Sequence, residues 1–206
     1  MNKTIAALTM CVLVSGPAGA DGLVAGSAEA GKAKSLTCGA CHGADGNSVN
    51  PVWPSIAGQH STYIVDQLQA FKNGDRTEAL MLGQTMLLTD EDMRNLAVYY
   101  SEMKAATKTV AEPSTLNRGR RLYLGGDSRN DTPACIACHG PNGRGNPASS
   151  TPSLMGQYAV YAAKQLRDYA SGARASDGPT RVMRDIAAKL SEDDIVAVSS
   201  YVQGLQ

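Results

Sequence analysis

The sequence has 206 residues, and its 19 basic and 19 acidic residues give a net charge of zero. This balance argues against nucleic-acid binding, which needs a basic surface. The length suits two small domains, and beyond the N-terminus no apolar run approaches the roughly 20 residues that cross a bilayer.

The N-terminal segment 1–20 is predicted to be an export signal. Lys3 supplies its positive charge, an apolar stretch follows over 5–14, and small residues over 17–20 suit cleavage after Ala20. The apolar stretch is too short to span a bilayer, and an uncleaved anchor is the alternative. Cys11 lies inside this segment, so the mature chain keeps four cysteines. Export predicts a periplasmic location.

The first half is predicted to be helical around one Cys-x-x-Cys-His motif. A helix over 29–41 leads into this motif, and a Gly- and Pro-rich loop follows over 43–54. Thr89 precedes an acidic first turn and an apolar-periodic stretch, which is typical of a helix N-cap. The remaining elements are a middle helix over 61–72, a terminal helix over 89–103 and a linker over 104–114.

The second half repeats this order. The segment Pro54-Ser55-Ile56-Ala57-Gly58-Gln59 matches Pro152-Ser153-Leu154-Met155-Gly156-Gln157, and the N-cap Thr89 matches Ser191. No strand pattern is persuasive, so the fold class is all-α with tandem domains over 21–103 and 115–206. Helices are predicted over 115–124, 159–171 and 191–203, with a loop over 140–152. An insertion over 125–133 has no counterpart, and it could contact the other domain, contact a partner or have no role.

Each half contains one motif that predicts covalent haem attachment. The copies are Cys38-Gly-Ala-Cys41-His42 and Cys135-Ile-Ala-Cys138-His139. Both thiols of such a motif can add to the vinyl groups of a haem, and the adjacent His becomes an axial iron ligand. A disulfide or thioredoxin-like site would not explain the repeated His, and zinc usually takes two close Cys pairs. The motifs therefore predict two covalently bound haem c groups.

The repeat also selects a second axial ligand for each iron. A Met thioether is the usual partner of His in cytochromes c. Met81 precedes Leu88 by seven residues, and Met183 precedes Leu190 by the same seven. These two are the predicted ligands, with Met86 as the main rival. His60, the only other His, is most simply a surface residue because its counterpart is Tyr158.

The motif order resembles that of class I c-type cytochromes, duplicated. Over 29–205 the chain is similar to the diheme cytochrome c4 family, whose two domains are related by a pseudo-twofold axis with the haem propionates facing the interface. The resemblance implies that the Pro54 and Pro152 carbonyls accept a hydrogen bond from the proximal His, which fixes the ring; an ordinary loop turn is the alternative. Arg76 and Arg174 are matched candidates for the polar interface or solvated surface charges.

These features favour an electron carrier without enzymatic activity, either soluble or peripherally attached to a membrane. The resemblance implies transfer from a quinol-oxidising complex to a terminal haem–copper oxidase. The alternatives are a cytochrome subunit of a periplasmic dehydrogenase, such as a sulfide-oxidising flavocytochrome, and a diheme peroxidase or thiosulfate-oxidising enzyme. Residues 21–112 carry seven basic and eleven acidic residues, net −4, whereas 113–206 carry eleven and eight, net +3. Such a dipole can orient a carrier at charged partners, or it can lack a role.

Overall fold

A computed structural model describes residues 22–206; the predicted export signal and Cys11 lie outside this range. Within it, the chain forms ten α-helices, two 3₁₀ turns and isolated bridges but no strand, which confirms the predicted all-α class. The first half contains α1 (Ala28–Lys34), α2 (Leu36–His42), α3 (Ser61–Asn73), α4 (Ala79–Thr85) and α5 (Asp90–Ser101). The second contains α6 (Leu116–Gly125), α7 (Ile136–His139), α8 (Ala159–Ser171), α9 (Val182–Ala187) and α10 (Glu192–Gln203). The 3₁₀ turns are Pro113–Thr115 and Pro147–Ser149.

The middle and terminal helices begin and end close to the predicted residues, whereas the predicted helix over 29–41 divides in two. Ser35 ends α1 and precedes α2, and its hydroxyl donates to the carbonyl of Lys32 at 2.9 Å. A serine that bonds to nearby backbone in this way competes with the helical pattern. The short helices α4, α7 and α9 were not predicted.

Both terminal helices begin with the N-cap residues that the sequence predicts. The hydroxyl of Thr89 accepts from the backbone N–H of Asp92, whose carboxylate accepts from the N–H of Thr89. Ser191 and Asp194 form the same reciprocal pair at α10. These capping boxes satisfy otherwise unpaired helix donors.

Glycines allow the first and last helices of each half to cross closely. α1 packs on α5, and α6 packs on α10. A Cβ at Gly31 would lie 2.1 Å from the carbonyl oxygen of Asn95, and one at Gly119 would lie 2.2 Å from that of Ala197. Because these contacts are with backbone, no rotamer change could make room for a side chain.

Each half has its own hydrophobic core, and one motif cysteine packs against each core. In the first half, Cys38 packs against buried residues of α3 and α5, namely Ile64, Leu96, Ala97 and Tyr100. In the second, Cys135 packs against Leu122, Tyr123, Val198, Val202 and Leu205. No helix within residues 22–206 combines the length and apolar character needed to cross a membrane.

The insertion over 125–133 folds back onto its own half. The carboxylate of Asp127 pairs with Arg118 of α6 and Arg129 of the loop. The Lys189 ammonium donates to the carbonyl of Asp131 at 2.9 Å, and the Asn130 amide donates to the carbonyl of Lys189 at 2.9 Å. These contacts hold the insertion against α6 and the segment before α10.

The two halves meet in reciprocal contacts, as expected for a pseudo-twofold arrangement. Arg76 and Arg174 form an isolated antiparallel bridge, and both side chains are buried. The linker lies along this interface: the Lys108 ammonium donates to the carbonyl of Gly156 at 2.7 Å and lies 4.4 Å from the centre of the Tyr158 ring.

Candidate functional site

The motif residues of the first half share one short helix. Cys38, Cys41 and His42 lie on α2 at positions i, i+3 and i+4, which project from the same face of a helix. His42 is the last residue of α2, and Gly43 follows with φ 85°, where its missing Cβ avoids the carbonyl of Asn47. The helix end and the glycine turn therefore set the direction of the His42 ring.

The second half repeats this arrangement on a shorter helix. Cys135 is the N-cap of α7, Cys138 lies within it and His139 is its last residue. Gly140 follows with φ 75° and turns the chain away, as Gly43 does. Within the described part of the chain, none of the four motif cysteines forms a disulfide, and no three His, Cys, Asp or Glu side chains cluster as metal ligands. The zinc interpretation thus finds no site there.

Both histidines are held by a backbone carbonyl of the repeated Pro-Ser segment. The Nδ1–H of His42 donates to the carbonyl of Pro54 at 2.8 Å, and that of His139 donates to the carbonyl of Pro152 at 3.1 Å. The contacts implied by the family resemblance are therefore present. A proton on Nδ1 leaves Nε2 with a free lone pair, and neither Nε2 has a hydrogen-bond partner within residues 22–206.

Burial keeps both rings neutral. The His42 and His139 side chains are almost fully enclosed, and burial lowers the pKa of each, although the proline carbonyls act in the opposite direction. Burial also raises the pKa of Cys135 to about 11 and raises that of Cys38. A neutral imidazole is the form that binds iron.

The candidate methionines lie on α4 and α9, two of the three helices that were not predicted. Met81 is in α4, which packs on α3, and Met183 is in α9, which packs on α8. Both are half-buried, whereas Met86 is the C-cap of α4 and is 57% exposed. The two predicted ligands thus occupy equivalent places in the two halves. Met93 is fully buried in α5.

Three apolar side chains of the first half are largely exposed. Leu36 at the start of α2 is 84% exposed, Val49 in the following loop is 92% exposed, and Leu87 after α4 is 86% exposed. Leu36 lies two residues before Cys38 on α2, so exposed apolar surface begins beside the first motif.

A buried polar cluster lies at the centre of the interface between the halves. Each of Arg76 and Arg174 donates to a tyrosine hydroxyl and a glutamine carbonyl of the opposite half. Neither arginine forms a salt bridge with a carboxylate within residues 22–206. The acceptors are Tyr161 and Gln165 for Arg76, and Tyr63 and Gln67 for Arg174.

The sequence left open whether Arg76 and Arg174 belong to a polar interface or are solvated surface charges, and their position in the structure places them in the interface. Both are buried rather than solvated. Their tyrosine and glutamine partners occupy equivalent positions in the two halves, two and six residues into α3 and α8. His60 also lies at this interface, where its Nε2–H donates to the carbonyl of Arg144 at 2.7 Å. Matched polar residues on one helix face were the signal that could have located the interface.

The family model for cytochrome c matches residues 28–104 and 117–206. Cytochrome c4 of Pseudomonas aeruginosa is 44% identical over 205 residues, covering 100% of both chains. The crystal structure of reduced recombinant cytochrome c4 from Pseudomonas stutzeri has a TM-score of 0.86 and 44% identity, and the match covers 88% of this chain and 100% of that one.

The chain belongs to the cytochrome c4 family. Each half is a cytochrome c domain, and the protein carries two covalently bound haem c groups. It is a diheme electron carrier rather than an enzyme. A thiosulfate dehydrogenase electron acceptor of Thiomonas intermedia is also similar, at 35% identity over 173 residues, 82% of this chain and 78% of that protein.

Proposed function

We propose that the two motifs attach the haems and that His42 and His139 are the proximal ligands. Cys38 and Cys41 would form thioethers in the first domain, and Cys135 and Cys138 in the second. When bound, each haem supplies a one-electron couple whose potential depends on its axial ligands and surroundings. The observation that carries this proposal is the buried imidazole whose Nδ1–H is bonded to a proline carbonyl, which occurs in both domains.

We propose Met81 and Met183 as the second axial ligands. Their equal spacing to the terminal helix, equivalent helices and matching half-burial support this pair over Met86. Thioether ligands on both irons would leave no open position for a substrate. This saturation is the chemical reason why the protein would transfer electrons without binding a reactant at iron.

Arg76 and Arg174 would face the anionic edges of the haems. An ionised guanidinium without a carboxylate partner is costly to bury, so a buried pair of them favours neighbouring anions. Haem propionates directed toward the interface would supply these charges.

The proposed domains are residues 21–103 and 115–206, joined by a linker over 104–114. The family-model matches over 28–104 and 117–206 support this division.

The proposed pathway runs in the periplasm, from a quinol-oxidising complex to a terminal haem–copper oxidase, with the protein soluble or peripherally attached to the membrane. The predicted export signal supports this location. The opposite net charges of the halves, −4 and +3, support oriented docking at charged partners.

A second candidate function, which the sequence also allows, is that of an electron-accepting partner of a periplasmic dehydrogenase. The 35% identity to a thiosulfate dehydrogenase electron acceptor favours it. Copurification from the source organism separates the two: a catalytic dehydrogenase chain bound to the cytochrome would support this second function, and respiratory complexes would support the first.

Substitution of the methionines tests the proposed ligands. Thioether bound to ferric iron gives a weak charge-transfer band at the red limit of the visible spectrum. Met183→Ala should remove about half of this band, since one of two haems loses its thioether, and Met81→Ala should remove a similar share. Each variant should also lower the potential of one haem and open its reduced iron to carbon monoxide.

Met86→Ala is the matched control, because this residue lies outside the repeated spacing and should leave the band intact. If Met86→Ala removes half of the band and Met81→Ala does not, the ligand proposed for the first domain is wrong. If neither Met81→Ala nor Met183→Ala affects the band, both proposed ligands are wrong.

A further inference from the structure

One glutamine of each domain contacts the Pro-Ser segment of the other domain, the segment whose proline carbonyl accepts from the motif histidine. The Oε1 of Gln157 accepts from the backbone N–H of Ser55 at 3.1 Å, and its Nε2 donates to the carbonyl of Ser55 at 2.8 Å. Gln59 makes the same pair of bonds with Ser153, each at 2.9 Å. Each glutamine side chain therefore crosses the interface and forms two hydrogen bonds with the backbone of one serine in the opposite domain.

The contacted N–H belongs to the peptide group that orients the histidine. The N–H of Ser55 and the carbonyl of Pro54 are the two ends of one peptide bond, and this carbonyl accepts from Nδ1 of His42 at 2.8 Å. One hydrogen-bonded chain thus runs from Gln157 Oε1, through the Pro54–Ser55 peptide group, to the ring of His42.

The second domain contains the mirror image of this chain. Gln59 Oε1 accepts from the N–H of Ser153, and the Pro152 carbonyl of the same peptide group accepts from Nδ1 of His139 at 3.1 Å. Gln59 is buried and Gln157 is half-buried, so water competes little with either amide. The repetition in both directions argues against an incidental contact.

Hydrogen bonds in such a chain strengthen one another. An acceptor on the N–H of a peptide group polarises its carbonyl and makes that oxygen a better acceptor. A stronger bond to the Nδ1–H of an iron-bound histidine raises the basicity of the ligand. We infer that Gln157 tunes the haem of the first domain and that Gln59 tunes the haem of the second, each as a positioning residue acting across the interface.

This inference rests on the proposed role of His42 and His139 as proximal ligands. The hydrogen-bonded chain also determines the sign of the expected change in haem potential. Without Gln157, the Pro54 carbonyl becomes a weaker acceptor and the His42 ring a poorer donor to iron. Ferric iron is then stabilised less, so the potential of the first haem rises. Simple loosening of the interface would admit water, which stabilises the ferric charge and lowers the potential.

The experiment measures the potential of each haem in the full-length holoprotein. Gln157→Leu removes the amide and keeps a side chain of similar size, and Gln157→Ala is the second variant. The haems are followed separately through their haem-methyl proton signals during a redox titration. In Gln157→Leu we expect a positive shift confined to the first haem, equivalent to about a 1.5- to 4-fold change in the electron-exchange equilibrium between the haems.

Gln59→Leu should produce the same shift in the second haem alone. Thr62→Val is the matched control, because its hydroxyl also crosses the interface, to the carbonyl of Pro147 at 2.7 Å, but does not touch a Pro-Ser peptide group. This control should leave both potentials unchanged. The inference fails if Gln157→Leu leaves the first potential unchanged, lowers it or shifts both haems equally, or if Thr62→Val gives the same shift.

The unmodified protein separates failure of this inference from failure of the proposed function. In the reduced state, ring protons of His42 and His139 should appear far upfield, because the porphyrin ring current acts on an axial imidazole. If these signals are missing, both the ligand assignment and the inference are wrong. If they are present and the glutamine variants shift nothing, only the inference is wrong.

Discussion

Replacing Gly119 with alanine tests the glycine contact between the first and last helices of the second domain. The added Cβ would lie 2.2 Å from the carbonyl oxygen of Ala197, whereas ordinary contact begins at 3.4 Å. The α6 and α10 backbones must therefore separate by about 1 Å. Overpacking of this kind costs about 1–3 kcal/mol, and alanine regains at most about 1 kcal/mol of helix propensity. We expect a net loss of about 1–2 kcal/mol in unfolding free energy.

Guanidinium unfolding of the holoprotein measures this loss as a shift in the midpoint of the second domain. Gly125→Ala is the control: Gly125 also lies in α6, but a Cβ there would meet nothing within 4 Å. It should match or slightly exceed the unmodified protein in stability. A Gly119→Ala variant as stable as the Gly125→Ala variant would refute the argument that helix contact requires this glycine.

Three further outcomes are expected. Mass spectrometry of the denatured mature protein should find two haems, because thioether bonds are covalent, and Cys38→Ala or Cys135→Ala should compromise attachment in one domain only. Electron-transfer rates with a charged oxidase should fall as salt rises if the charge asymmetry orients docking; a rate independent of ionic strength would exclude that role.

Burial raises the pKa of Asp194, but the hydrogen bonds from Ser191 and Arg118 outweigh it, so the folded-state pKa is lowered. A carboxyl group whose pKa is lowered on folding stabilises the folded state. This stabilisation is present above the unfolded pKa of about 3.9 and is lost as pH falls through the lower folded pKa. Ser191→Ala should therefore cost about 1 kcal/mol at neutral pH and less in acid, which unfolding curves at both pH values would reveal.

The terminal helices were predictable because their start signals are local. Thr89 and Ser191 each precede an acidic turn, and both form the expected caps. The helices α4 and α9 lack such signals: neither has a side-chain cap, and α9 follows Arg181, a non-glycine residue with φ 53°. At seven and six residues, they are also too short to show helical periodicity.

The candidate site likewise contains residues that the sequence could identify and residues that it could not. The Cys-x-x-Cys-His motifs were identified because their residues are contiguous, and the candidate methionines were selected by their repeated spacing. The contacts of the proline carbonyls were expected from the family resemblance alone. The functions of Gln59 and Gln157 depend on contacts with residues about 100 positions away, at Ser153 and Ser55. The repeat shows that such residues match, but only the packing of the halves shows what they contact.

The reciprocal interface has the geometry of a twofold homodimer whose subunits have been joined end to end. In a true homodimer, every substitution alters both copies of a contact. Joining the subunits removes that constraint, and a short tether also holds the partners at a high effective concentration, on the order of millimolar. One pair has already diverged: His60 reaches the carbonyl of Arg144, whereas Tyr158 reaches that of Ser48, both at 2.7 Å. The two redox centres can therefore acquire different surroundings, one favouring uptake of an electron and the other its release, without weakening the attachment between them.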